Sequence, residues 1–345
     1  MPSPKVQFGF ARSATRLDEY LDWVKVADAT DPDLLSFGDG QDLWNEVYVT
    51  LTATAMRTRR ARIGTNVTNP ITRHPAVTAS AIASINQLSG GRAFLGIATG
   101  LSALRNIGKH AAKVQDLEDY VRAVQDLTAG RATTWQGQKL KLNWGPQRVP
   151  VFVGARGANA LRMAGRAADG VIVGGGVTTP EVIKTLQGQI EVGAKEAGRS
   201  LKDLEIWWLT RIVLAPSEEE GIDMMRDYLA GYAAHGFRSP AILAEAPPEV
   251  QEKIHIMEKG YNWLEHLRNE PGPEGISNNA ALLEKQGIKR WLANRFVITG
   301  SPDHCIAKLR ALVAVGATNI IVPQVLPNPI LTARAIGEKL FPAFR

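Results

Sequence analysis

The chain has 345 residues, of which 45% are hydrophobic and 21% charged, and carries a formal net charge of +6. Those proportions fit a soluble globular enzyme, built as one large barrel or as two ordinary domains. They exclude a transmembrane helix, because no run of eighteen apolar residues occurs. They also exclude a nucleic-acid binder, because no dense Lys/Arg block is interleaved with aromatics. The single cysteine, Cys305, excludes an internal disulfide and fits a reducing cytoplasm. The opening MPSPKVQFGF has no apolar signal core and enters directly into a strand.

In chain order, VQFGF (6–10) is a first strand and 15–29 a helix opened by Thr15, with Asp18 and Glu19 in its first turn. LLSFG (34–38) is a second strand, and 44–58 a helix with Asp42 as its N-cap and Trp44 packed beside it. ARIGTNV (61–67) is a third strand, and helix 75–88 carries Pro75 at its start. AFLGIAT (93–99) is a fourth strand; 115–129 is helical, with Leu117, Val121, Val124 and Leu127 on one face. TTWQGQKLKLNW (133–144) alternates about Gly137 and reads as a β-hairpin on the rim. VPVFVGA (149–155) and GVIVGG (170–175) are strands five and six, each followed by a helix, 157–168 and 179–197. LEIWWLTRIVLA (204–215) is strand seven; SEEE at 217–220 caps a helix running to about Ala234. SPDHCIAKLRALVAVG (301–316) is a capped helix before ATNIIVPQV (317–325), the eighth strand.

Eight strands alternating with helices predict a single (β/α)₈ TIM barrel over residues 1–345. The rhythm breaks at 238–295, where helical stretches 249–269 and 279–294 flank the Pro/Gly-rich NEPGPEG. This helical insertion before the last strand is either a lid over the barrel mouth or a packing or dimer-forming excursion.

Active sites of such barrels sit at the strand C-terminal ends. The exits of strands three and four, Thr65-Asn66 and Thr99-Gly100, fall side by side on that face. Gly154-Ala155-Arg156-Gly157 and Gly174-Gly175-Gly176-Val177-Thr178 each follow a buried strand and precede a helix, which suits a phosphate held by backbone N–H groups. Asp39, between two glycines, serves either the site or an ordinary turn. His74 is read as structural, and the remaining histidines have no mutual ligand spacing, so no metal is expected. Trp207 and Arg211, with Tyr232 and His235, are further candidates for shaping the pocket.

TNPITRHPAV followed by SGGRAFLGIATG resembles the luciferase-like flavin and deazaflavin oxidoreductases, and within them the methylenetetrahydromethanopterin reductase-like branch. GDGQDLW (38–44), VFVGARGANALRMAGRAADGVIVGG (151–175) and FVITGSPDHCIAKLRAL (296–312) carry the same resemblance. It implies a ribityl phosphate on Gly154, Ala155, Arg156 and Gly174, Gly175, Gly176, Val177, Thr178. It implies a ring held near Thr65, Asn66, Thr99, Gly100 and Ser102, with Asp39 facing cofactor and substrate. Relatives often carry a non-prolyl cis peptide at the end of strand three, which falls here near Thr65-Asn66-Val67. Asp39 and Asn66 are thereby the candidate catalytic residues. The chain departs from its relatives at Leu101, where they have a more polar residue, and at Asn66, where many have glycine.

Three functions follow. The first is a monooxygenase using reduced FMN and O₂ on a small organic substrate, with a separate flavin reductase as partner; FMN is preferred because it is far more widespread. The second is a coenzyme F420-dependent hydride-transfer enzyme. The third is a barrel that binds flavin without turnover. The resemblance also implies a homodimer or higher homo-oligomer formed through the second and third helices.

Overall fold

The computed structural model describes residues 5–174, 178–237, 240–265, 276–326 and 328–345. Its strands in chain order are β1 (Gln7–Arg12), β2 (Leu34–Phe37), β3 (Arg62–Thr65), β4 (Ala93–Ile97), β5 (Thr133–Trp135), β6 (Gln138–Leu140), β7 (Val151–Ala155), β8 (Gly170–Val173), β9 (Glu205–Leu209), β10 (Arg211–Leu214), β11 (Val297–Gly300) and β12 (Asn319–Pro323). Eight of them close into a barrel in the order β1-β12-β9-β8-β7-β4-β3-β2, parallel throughout. The fold is the predicted (β/α)₈ barrel. The predicted hairpin is β5 paired antiparallel with β6, turning through Gln136 and Gly137, both at positive φ. Among the described residues, no helix is long and apolar enough to cross a membrane.

The chain divides into two compact units. The first comprises Met1–Gly174, Pro180–Leu209 and Leu312–Arg345 and holds the whole barrel; the second comprises Gly175–Thr179 and Thr210–Ala311.

Inside the first unit the barrel interior changes character along its axis. At the N-terminal end of the strands, Arg62 of β3 meets Glu205 of β9 through Nη1 at 2.6 and 2.8 Å. The same guanidinium lies over the rings of Phe94 and Phe152, at 5.7 and 5.2 Å. The indole Nε1 of Trp207 donates to Glu205 at 2.6 Å. These contacts seal the base with a partly desolvated ion pair on aromatic faces. Above it, Leu34, Phe94, Phe152, Ile172, Trp207 and Ile321 fill the middle layer, with Ala11, Val67 and Leu209 packed against them. Towards the strand C-termini the lining turns small. A Cβ on Gly154 would meet Val67 Cγ1 at 2.9 Å and Ala98 Cβ at 3.3 Å, and one on Gly174 would meet only Leu209 Cδ2, at 3.6 Å. A closed base, a bulky middle and a small-residue top leave space at one end, where catalytic sites of this fold lie.

Several local expectations are corrected. Strand seven is not continuous: it stops at Leu209, Thr210 interrupts it, and β10 pairs instead with β11 in a separate parallel sheet of the second unit. That unit reaches beyond the 238–295 segment and takes in β10 and β11. Within 238–295 the described elements are all helical. The helix expected over 279–294 is two, Asn278–Gln286 and Lys289–Phe296, because Gly287 adopts the left-handed conformation (φ 67°) and ends the first. The helix after SEEE also breaks, at Met225, into Glu218–Met224 and Arg226–His235. NEPGPEG (269–275) lies outside the described residues.

Helix starts shift as well. The second helix is Val47–Ala55, and its N-cap is Glu46, whose carboxylate accepts from Val49 N at 2.9 Å. Asp42 instead accepts from Asn106 Nδ2 at 2.5 Å. The first helix begins at Leu17 after Arg16, with no side-chain cap from Thr15.

Candidate active site

The mouth of the barrel is built from the exits of β2, β3, β4, β7 and β8. At the end of β2, Trp44 packs over Gly38 and Gly40, so close that a Cβ on either would lie 2.8 or 3.0 Å from its ring. Its packing role is as the sequence suggested. The same turn carries Asp39, only 6% exposed. Its Oδ2 accepts from Thr68 Oγ1 at 2.6 Å and from Arg73 Nη1 at 2.5 Å. Arg73 Nη2 reaches Glu46 Oε1 at 2.7 Å, and its guanidinium lies 5.0 Å from the Tyr48 ring centroid. Burial alone would lower the Arg73 pKa, but the Asp39 carboxylate, with Tyr48 and Glu46 behind it, raises it. Tyr120 completes the cluster: its hydroxyl donates to Arg73 O at 3.0 Å and lies 2.6 Å from Thr78 Oγ1. Burial pushes its phenol up to about 12. Asp39 is therefore an anchored carboxylate in an ion-pair network, not a free turn residue.

At the end of β3, the two expected ring-holding residues part company. Thr65 is fully buried, and its hydroxyl donates to Gly96 O at 2.6 Å while accepting from Gly96 N at 3.0 Å. Its side chain ties β3 to β4 and has nothing left for a ligand. Asn66 stays half-buried, donates from Nδ2 to Ser36 Oγ at 3.2 Å, and begins the non-prolyl cis peptide Asn66–Val67, where the resemblance placed it. Val67, next in the chain, packs on the core cluster beside Ala98 and opposite Gly154. These three form an apolar floor.

At the end of β4, Gly100 has φ 86°, which favours glycine, and a Cβ there would also run into Leu104. Ser102 opens the short helix Ser102–Arg105, and Thr99 O accepts from Ala112 N at 2.9 Å. Past β7, Gly157 is the N-cap of helix Ala158–Ala167, with nothing within 4 Å of the position a Cβ would take; Ala155 is buried and Arg156 exposed beside it. Gly174 N donates to Ala155 O at 3.3 Å, so the two glycine-rich exits are neighbours. Gly175, Gly176 and Val177 lie outside the described residues. Thr178 belongs to the second unit, where its hydroxyl donates to Asn294 O and Arg295 O at 3.1 and 2.9 Å.

His74 is structural: its Nδ1 accepts from Ala76 N at 3.2 Å as the cap of helix Pro75–Leu88. Its neighbour Arg73 is the residue that sequence reasoning passed over. The only signal was a basic residue four positions after Asn69, just past an Asx turn in which Asn69 Oδ1 accepts from Ile71 N and Thr72 N, both at 3.0 Å.

The profile of the luciferase-like monooxygenase family matches residues 3–319. The chain belongs to that family. It is an oxidoreductase of the luciferase-like superfamily. It is 28% identical over 331 residues to 5,10-methylenetetrahydromethanopterin reductase of Archaeoglobus fulgidus, covering 94% of this chain and 95% of that one. It is 24% identical over 363 residues to F420-dependent glucose-6-phosphate dehydrogenase of Microbacterium testaceum, covering 99% and 98%. The structure of coenzyme F420-dependent tetrahydromethanopterin reductase from Methanopyrus kandleri superposes with a TM-score of 0.77 at 23% identity, covering 99% of this chain and 100% of that one. The suspected branch and the barrel architecture are both borne out.

Proposed function

We propose that the protein is an F420-dependent oxidoreductase that moves a hydride to or from a carbon of a small organic substrate at the barrel mouth. One observation carries this reading. Two relatives matched nearly end to end are a reductase and an F420-dependent dehydrogenase, over 94% and 99% of the chain. The monooxygenase using reduced FMN, preferred on the sequence because FMN is widespread, has the weaker support. It retains the family description in its favour.

The mouth suits a flat tricyclic ring. The floor of Val67, Ala98 and Gly154 offers an apolar support for one ring face, packed so closely that a Cβ on Gly154 would meet Val67 Cγ1 at 2.9 Å. Bound there, F420 supplies a ring carbon that gives or accepts a hydride. The chain does the rest. Gly154, Ala155, Arg156 and Gly174 hold the phosphate of the tail with backbone N–H groups. Gly175, Gly176 and Val177, read from the sequence, extend that loop. Thr99, Gly100 and Ser102 border the ring, with the Asn66 amide at its edge. Asp39, locked by Thr68 and Arg73, orients the substrate with a fixed carboxylate and needs no reorganisation when it binds. The apolar floor keeps water from the supported face and leaves the opposite face to the substrate. In this reading the protein works in the cytoplasm as a homo-oligomer, and Val49, Met56 and Val77, exposed on or beside the second and third helices, support that assembly.

The test is titration of the purified protein with F420 and with FMN, in both redox states, with oxygen uptake followed alongside. Tight F420 binding without oxygen consumption is expected. Binding of reduced FMN with oxygen uptake, and none of F420, would replace this reading with the monooxygenase.

A further inference from the structure

The second unit holds a buried cation without a counter-ion. Arg211, the first residue of β10, is 9% exposed. Its guanidinium carbon lies 4.5 Å from the Tyr232 ring centroid and 5.6 Å from that of Tyr228. Its Nε is buried with no acceptor, and among the described residues no hydrogen bond or ion pair reaches the guanidinium. Two other cations of the unit that are well covered have carboxylate partners: Arg295 with Glu245 at 2.6 Å, and Lys289 with Asp223 and Glu284 at 2.5 and 2.7 Å. Beside Arg211, Thr210 is 1% exposed, and its hydroxyl also lacks a partner.

A guanidinium cannot lose its proton to escape burial. Stacking on tyrosine returns only part of the cost of desolvating the charge. Stacking also uses the guanidinium face, whereas its N–H bonds lie in the plane, so the donors stay unspent. Their fork matches a carboxylate or a phosphate. We infer that Arg211, with Thr210 beside it, forms an oxyanion-binding site for the carboxylate or phosphate of a small ligand. The site lies within the second unit and does not depend on the proposed function.

The site is tested first without coenzyme. Wild-type protein, Arg211→Met and Arg211→Lys are titrated calorimetrically with inorganic phosphate and with acetate in a buffer free of other oxyanions. The wild type is expected to bind one of them saturably at one site. Arg211→Met should weaken that binding at least tenfold, and Arg211→Lys, which keeps the charge and loses the fork, should fall between. A wild type that binds neither ion saturably overturns the inference, as does an Arg211→Met variant that binds like wild type. A purely packing role predicts the first of these outcomes, together with a lowered Tm for Arg211→Met. Should the Met variant fail to fold, the wild-type titration and the Lys variant still decide. F420 is titrated in a separate experiment. Failure of F420 to bind would refute the cofactor reading and leave the anion result standing.

Discussion

Replacing Gly154 by alanine places a methyl group into the floor of the mouth. The new Cβ would sit 2.9 Å from Val67 Cγ1, 3.4 Å from Val67 Cγ2 and 3.3 Å from Ala98 Cβ. Carbon atoms prefer about 3.5–4.0 Å, so the closest contact is short by roughly 0.6–1 Å. Val67 is β-branched and stiff at χ1, and it is wedged against the core cluster, so it has no easy escape. Overpacking of this kind costs about 1–3 kcal/mol. The displaced valine moves towards the ring position, and coenzyme affinity should fall about tenfold or more, equivalent to about 1.4 kcal/mol. Gly157→Ala is the control three residues on: its φ is −85°, nothing lies within 4 Å of its Cβ, and it should change stability by less than about 0.5 kcal/mol. Urea unfolding and fluorescence titration with F420 measure both quantities. A Gly154→Ala protein as stable as wild type and binding coenzyme equally well would refute the floor assignment.

Removing Arg73 strands the Asp39 carboxylate, whose side chain is 2% exposed, so Arg73→Met should cost about 3–5 kcal/mol in chemical unfolding. Adding Asp39→Asn to that variant should recover part of the loss; a double variant no better than the single one would show that the pair is not coupled. Glu118 is 7% exposed and accepts from Arg166 and Arg122 at 2.5 and 2.8 Å. Burial acts to raise its carboxyl pKa, but the two guanidinium groups lower it overall. The folded state therefore binds fewer protons than the unfolded one. The stabilisation is complete above the unfolded value of about 4.3 and is lost as pH falls through the lower folded value. Glu118→Gln should thus be destabilising at pH 7 and approach wild type below about pH 4; a difference independent of pH would contradict this. Burial pushes the Cys305 thiol up to about 12. Native protein at pH 8 should resist iodoacetamide, whereas urea-unfolded protein, with a thiol near 8.5, should react readily.

The barrel was legible because its strands are short apolar runs, each followed by a turn and a helical stretch. Strand seven misled for the same reason: EIWWLTRIVLA is one uninterrupted β-like run, and nothing local in it records that Thr210 leaves one sheet for another. VITG was hidden because it follows helix Lys289–Phe296 without a turn, so no punctuation marks its start. Gly287 was a visible stop signal that the helical periodicity around it outweighed. In the site, glycines at strand exits and the position of Asp39 were readable as types and spacings. The partners were not. Thr65 looks like a free hydroxyl at a strand end, and only the pairing of β3 with β4 shows it engaged on both sides. Arg73 looks like a solvated turn residue, and only the folded chain brings it to Asp39, 34 positions away. Long-range pairing of this kind leaves no trace in local pattern.

The salt-bridged plug of Arg62 and Glu205 also has a kinetic consequence. A vessel stopped at one end has a single door, and its two reactants must use that door in turn. The deeper guest is loaded first and released last. Steady-state turnover should then be ordered sequential, with the outer product acting as a noncompetitive inhibitor against the inner reactant.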